Sequence, residues 1–112
     1  MKPGYSLWLE NDSGDKIFGQ GPLSLLILVD RFGSLNKAAQ EISMSYSKAT
    51  RIIKTTETNL NINLMNREIG GSWGGGSTLT DEAKELIEKY ERYREEITKE
   101  IERIYNEIFP YE

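Results

Sequence analysis

The sequence contains neither cysteine nor histidine. That removes disulfides, the thiolate nucleophile, the commonest general base and the usual zinc ligands together. A carboxylate-only or serine-lysine site would need a concave pocket, and a chain of 112 residues has little material to build one. No enzyme and no cofactor is therefore expected. Long hydrophobic runs are also missing: Leu25 to Val29, with Leu23 nearby, is the longest. A bilayer span needs roughly 20 apolar residues, so this stretch reads as a buried helix. Met1-Lys2-Pro3-Gly4-Tyr5 lacks the basic and apolar segments of a secretion signal, which makes a cytoplasmic setting the expectation. The sequon Asn11-Asp12-Ser13 then carries no weight.

Apolar residues at 38% and charged residues at 29% describe a globular chain. The net charge of −4 is unevenly spread. Residues 1–80 hold eight bases against seven acids, and residues 81–112 hold six against eleven. Between Lys37 and Arg67 there are five bases and two acids, which points to a phosphate-bearing partner for that segment.

Two apolar stretches, Tyr5–Glu10 and Lys16–Phe18, flank the turn-forming run Asn11-Asp12-Ser13-Gly14-Asp15 and predict a β-hairpin. Gly19-Gln20-Gly21 ends it, and Pro22 suits the first position of a helix. That helix, apolar almost all round, should lie in the core and stop at Gly33. Ser34 caps a second helix, Leu35 to about Ile42, with Leu35, Ala38, Ala39 and Ile42 facing inward. Its two alanines allow another helix to cross closely above. After Ser43-Met44, Ser45 caps a third helix that runs to about Leu60, where Asn61 suits a left-handed stop.

The third helix buries Ala49, Ile52, Ile53, Thr56 and Leu60 at helical spacing. Its other side presents Tyr46, Ser47, Lys48, Thr50, Arg51 and Lys54, with no acid before Glu57. An ordinary solvated face mixes the two signs, so this one is expected to be a contact surface. Asn63–Glu68 and Ser77-Thr78-Leu79 predict a second hairpin, with the glycine-rich tip Ile69 to Gly76 between them. That tip lacks the lysine and the following helix of a nucleotide-binding loop.

From Thr80, a helix cap, one helix is expected to continue to about Phe109, with Pro110 as its stop. At 1.5 Å per residue it reaches roughly 43 Å, more than a domain of this size is wide, so most of it should project. Leu86, Tyr90, Tyr93, Ile97, Ile101, Ile104 and Ile108 form an apolar stripe with an eleven-residue repeat. This predicts dimerisation, with the part near Leu86 and Tyr90 packing on the chain's own domain. The domains expected are 1–80 (helix-turn-helix about 34–60, wing about 63–80) and 81–112, the dimerisation helix.

Gly33-Ser34-Leu35-Asn36-Lys37-Ala38-Ala39, Met44-Ser45-Tyr46-Ser47-Lys48-Ala49, and the wing Gly70-Gly71 to Gly74-Gly75-Gly76 with Leu79-Thr80 stand in a distinctive order. Together with Phe18-Gly19-Gln20-Gly21, they resemble the N-terminal DNA-binding domain of the ModE family of molybdate-responsive regulators, itself similar to the LysR-type winged helix-turn-helix. The resemblance implies a mainly α fold with small β elements, and a homodimer joined through its terminal helices on a palindromic operator. Members that sense molybdate carry a further C-terminal domain absent from this sequence, so molybdate binding is not expected.

On that reading Ser45, Tyr46, Ser47, Thr50 and Arg51 face bases or phosphates of double-stranded DNA, while Lys48 and Lys54 position the backbone. Ser34, Lys37 and Arg67 are further contact candidates. The wing, often basic in the family, offers Ser72 and Trp73 here. Ser43 stands where the family's turn often has glycine, which costs about 1 to 2 kcal/mol if the backbone is left-handed. The competing reading is a winged-helix module that binds another protein instead of DNA.

Overall fold

The computed structural model describes residues 1–67 and 76–109, and of Arg67 only the backbone. Two short antiparallel strands come first, β1 (Trp8–Glu10) and β2 (Lys16–Gly19). Leu9 pairs with Phe18, and a bulge shifts the register before Glu10. Asn11 closes their turn because its side-chain oxygen accepts from the N–H groups of both Ser13 and Asp15. Gly14 supplies the positive φ of 86° that the turn requires.

Three helices follow, α1 (Gln20–Phe32), α2 (Leu35–Glu41) and α3 (Tyr46–Leu60). α1 starts two residues before the expected Pro22, with Gly19 as its cap. Pro22 is still tolerated, since N–H groups in the first turn have no helical acceptor. The expectation that α1 lies in the core holds for one side of the helix. Leu23, Leu25, Leu26 and Val29 are buried, but Ile27 and Phe32 are 40% and 39% exposed. Gly33 ends α1 in the left-handed region at φ 67°.

β3 (Met65–Arg67) and β4 (Ser77–Leu79) form the second antiparallel pair, with Asn66 opposite Thr78. β3 starts at Met65, two residues after the expected Asn63, and Glu68 lies outside the described residues. The Ser77 N–H donates to the Gly33 carbonyl at 2.9 Å, tying the base of this pair to the end of α1. The tip from 68 to 75, with Ser72 and Trp73, lies outside the described residues, as does Pro110.

α4 (Asp81–Ile108) is capped by Thr80, whose hydroxyl oxygen accepts from the Ala83 N–H. Asp81 and Glu82 sit at its positive end. One core joins the elements: Phe18, Leu25, Leu26, Val29, Ala38, Ala49, Ile53 and Leu64 are fully buried. Tyr90 reaches it from α4 and meets Phe18 edge to face at 5.2 Å. Beyond Tyr90 the helix leaves the core, and the molecule measures 60 × 29 × 23 Å.

The first seven residues run beside α4, a packing the sequence did not suggest. The Tyr90 hydroxyl donates to the Leu7 carbonyl at 2.9 Å, and the Tyr105 hydroxyl donates to the Met1 carbonyl at 2.8 Å. Between them Tyr5 hydrogen-bonds Thr98.

Candidate nucleic-acid interface

The α2–α3 unit is built by local chemistry. Ser34 Oγ accepts from the Lys37 N–H and Ser45 Oγ from the Lys48 N–H, so each helix starts on a serine cap. The turn between them closes with the Met44 N–H on the Ala39 carbonyl at 2.9 Å. Ser43 takes the left-handed conformation there, with φ 54°. Ala38 and Ala39 are 0% and 1% exposed, and their small size lets α3 cross directly over α2 with Ala49 buried at the contact.

α3 is held from both flanks. Its buried Thr56 hydroxyl donates to the Ile17 carbonyl of β2. Near its C-terminus, the Asn11 amide of the first turn donates to Asn59 Oδ1 at 3.0 Å. Asn61 ends it at φ 54°. Glu57, the one acid of α3, uses its carboxylate to accept the Leu64 N–H at 2.8 Å.

Ala49, Ile53 and Thr56 form the buried side of α3, with Ile52 and Leu60 half-buried. On the opposite side Tyr46, Ser47, Lys48, Arg51 and Lys54 are all exposed. Thr50 departs from the expectation of a freely presented side chain. It is half-buried, and its hydroxyl oxygen is enclosed with no hydrogen-bond partner among the described residues. An enclosed hydroxyl cannot reach a base, so Thr50 contributes shape at most.

Ser47, Arg51 and Lys54 line a shallow groove along α3 that continues past Thr55, Thr58 and Asn59. The last three were not among the sequence candidates. Thr55 and Asn59 continue the spacing of four from Ser47 and Arg51, and Thr58 lies four residues after Lys54, a readable signal that carries no charge. Lys37 is exposed in the first turn of α2, and Ser34 is half-buried beside it. Arg67 ends β3, where its backbone pairs with Ser77.

The electrostatics of α3 and α4 differ. On α4, Lys89, Lys99 and Arg103 pair with glutamates one turn away, at 2.8 Å for Lys89 with Glu85. The Lys89 ammonium holds the Glu85 carboxyl below its ordinary pKa, as the Arg103 guanidinium does for Glu100. Among the described residues, none of Lys37, Lys48, Arg51 and Lys54 has a carboxylate within 4.0 Å. Their charge faces outward without internal compensation.

Two helices crossing at a tight turn, followed by an antiparallel strand pair, define a winged helix-turn-helix domain. The model described as "Bacterial regulatory helix-turn-helix protein, lysR family" matches residues 21–84. The chain belongs to that family, a class of DNA-binding transcription regulators. Among relatives, the molybdenum transport protein ModE of Azotobacter vinelandii is 32% identical over 82 residues, 73% of this chain and 30% of that protein. The molybdenum-pterin-binding protein MopB of Rhodobacter capsulatus is 32% identical over 72 residues, 64% of this chain and 27% of its own. The chain therefore spans less than a third of either relative.

Two solved structures share the fold. The DNA-binding domain of CbnR in complex with DNA has a TM-score of 0.57 at 24% identity, covering 74% of this chain and 90% of that one. Full-length CbnR with its target DNA has a TM-score of 0.59 at 23% identity, covering 77% and 28%. No helix among the described residues is long and apolar enough to cross a membrane.

Proposed function

We propose that this chain binds a palindromic operator as a homodimer, with α3 in the major groove and the wing on the backbone or minor groove. The observation that carries this reading is the outward face of α3, where three exposed cations lie beside Tyr46 and Ser47 with no carboxylate partner among the described residues. Such a face attracts phosphate and leaves the planar guanidinium of Arg51 free to span a guanine edge. Lys37, Lys48 and Lys54 are the phosphate contacts. Ser34 and Ser45 each accept one backbone N–H as a helix cap, and their hydroxyl hydrogens stay available to donate to DNA.

Dimerisation draws on α4. Tyr90 is committed to the chain's own core at 3% exposure, whereas Tyr93, Ile104 and Ile108 are 46%, 41% and 62% exposed. Leu86 packs against the core, and Ile97 and Ile101 are half-buried. The stripe offered to a partner is therefore Tyr93 onward.

Duplexes selected from a random pool supply the operator, and anisotropy titrations then test the roles. Six lysine contacts per dimer predict a slope of log K against log salt of about −5. Lys54→Ala should flatten that slope by about 2 per dimer and weaken all sequences alike. Arg51→Ala should cost about 1 to 3 kcal/mol per half-site and relax base preference. No duplex binding even at low salt would favour the protein-interaction reading.

A further inference from the structure

A second cavity, of about 490 Å³, opens where the N-terminal hairpin meets α4, and it shares no residue with the α3 groove. Tyr5, Trp8, Lys16, Gln20, Tyr90 and Arg94 line it. Two exposed aromatic side chains, Tyr5 and Trp8, thus stand beside two cations, and the buried Tyr90 closes the floor. The Lys16 ammonium lies 5.0 Å from the centre of the Trp8 ring, and the Arg94 guanidinium donates to Gln20 Oε1 at 2.7 Å. Both contacts orient the cations, and neither neutralises them. Among the described residues no carboxylate lies within 4.0 Å of Lys16 or Arg94. The nearby Glu10 carboxylate accepts instead from the Trp8 indole N–H at 2.8 Å.

The wall is shaped by the lack of a side chain at Gly19. A Cβ there would stand 3.1 Å from Trp8 Cβ and 3.2 Å from Lys16 Cε, so glycine lets both side chains lie close against β2.

We infer that this cavity binds a small aromatic carboxylate. The carboxylate would accept from Arg94 and Lys16, and the ring would rest against Tyr5 and Trp8, which are 44% and 43% exposed. The volume falls within the range of small-molecule sites. Inorganic phosphate would satisfy the cations but leave the aromatic walls bare, and a nucleoside triphosphate brings more charge than two cations balance. A bound acid would bridge Lys16 on β2 to Arg94 on α4. Because β2 also holds α3 through Ile17 and Thr56, such a ligand would adjust α3 relative to the tail helix, a consequence that rests on the DNA reading.

The site itself is tested without DNA, on the full chain carrying Trp73→Phe so that Trp8 is the sole indole. Titration with benzoate should give a saturable change in Trp8 fluorescence. Benzamide, the uncharged isostere, and inorganic phosphate should each bind at least about tenfold more weakly. Arg94→Gln should weaken benzoate by a similar factor, with Arg94→Lys restoring part of it and circular dichroism unchanged. The inference is overturned if benzoate gives no saturation up to about 10 mM. Equal affinity for benzamide or phosphate, or an Arg94→Gln chain that binds as tightly, overturns it as well. None of these results bears on α3.

Discussion

Ser43 sits at φ 54°, where a β-carbon crowds the backbone and glycine does not. Its N–H donates to the Gln40 carbonyl at 3.1 Å, so the conformation is held by the helix-turn-helix itself. Ser43→Gly should raise stability by about 1 kcal/mol, seen as a higher midpoint in urea with an unchanged slope. A lower midpoint would mean that the serine side chain contributes more than its strain costs. Asn61 has the same φ of 54°, but asparagine tolerates this region, so it needs no such relief. Tyr90 shows a different constraint: burial pushes its phenol above the ordinary tyrosine pKa, and its hydroxyl donates to the Leu7 carbonyl.

At the scale of elements, α3 is a helix whose exposed face must be presented rigidly, and the first hairpin supplies the support. Thr56 is wholly buried, and its hydroxyl satisfies the Ile17 carbonyl on β2. Thr56→Val keeps the volume but leaves that carbonyl unpaired, at a cost of about 1 to 3 kcal/mol. Denaturant unfolding checks the cost. Hydrogen exchange at the β2 amides should rise more than in α4, because the lost bond lies between hairpin and helix. Uniformly faster exchange across all elements would argue against a local brace.

For the whole molecule, the radius of gyration is 16.9 Å, against about 13 Å for a compact chain of this length. The excess comes from α4, and the ion pairs along its exposed side do little for stability. Ile104 and Ile108 are largely exposed in the single chain, so Ile104→Glu with Ile108→Glu should leave its fold intact. On the proposed dimer, the wild type should sediment as a dimer and the double variant as a monomer at the same concentration. The variant's operator affinity should drop at least about a hundredfold, since two half-sites would no longer be bound together. A wild-type chain that is monomeric at high micromolar concentration would remove α4 from the dimer interface.

Local chemistry in the sequence alone determined the two hairpin bases, the four helices, the serine and threonine caps, the stops at Gly33 and Asn61, and the division of α3 into apolar and cationic sides. These features depend on neighbours within a turn or two, where spacing and capping residues can be read directly. Tertiary structure alone decided what distant segments do to one another: the start of the chain laid along α4, the Thr50 hydroxyl enclosed, and Lys16 brought to the same cavity as Arg94. Those outcomes join residues tens of positions apart, and the periodicity of either partner says nothing about which surface will cover it.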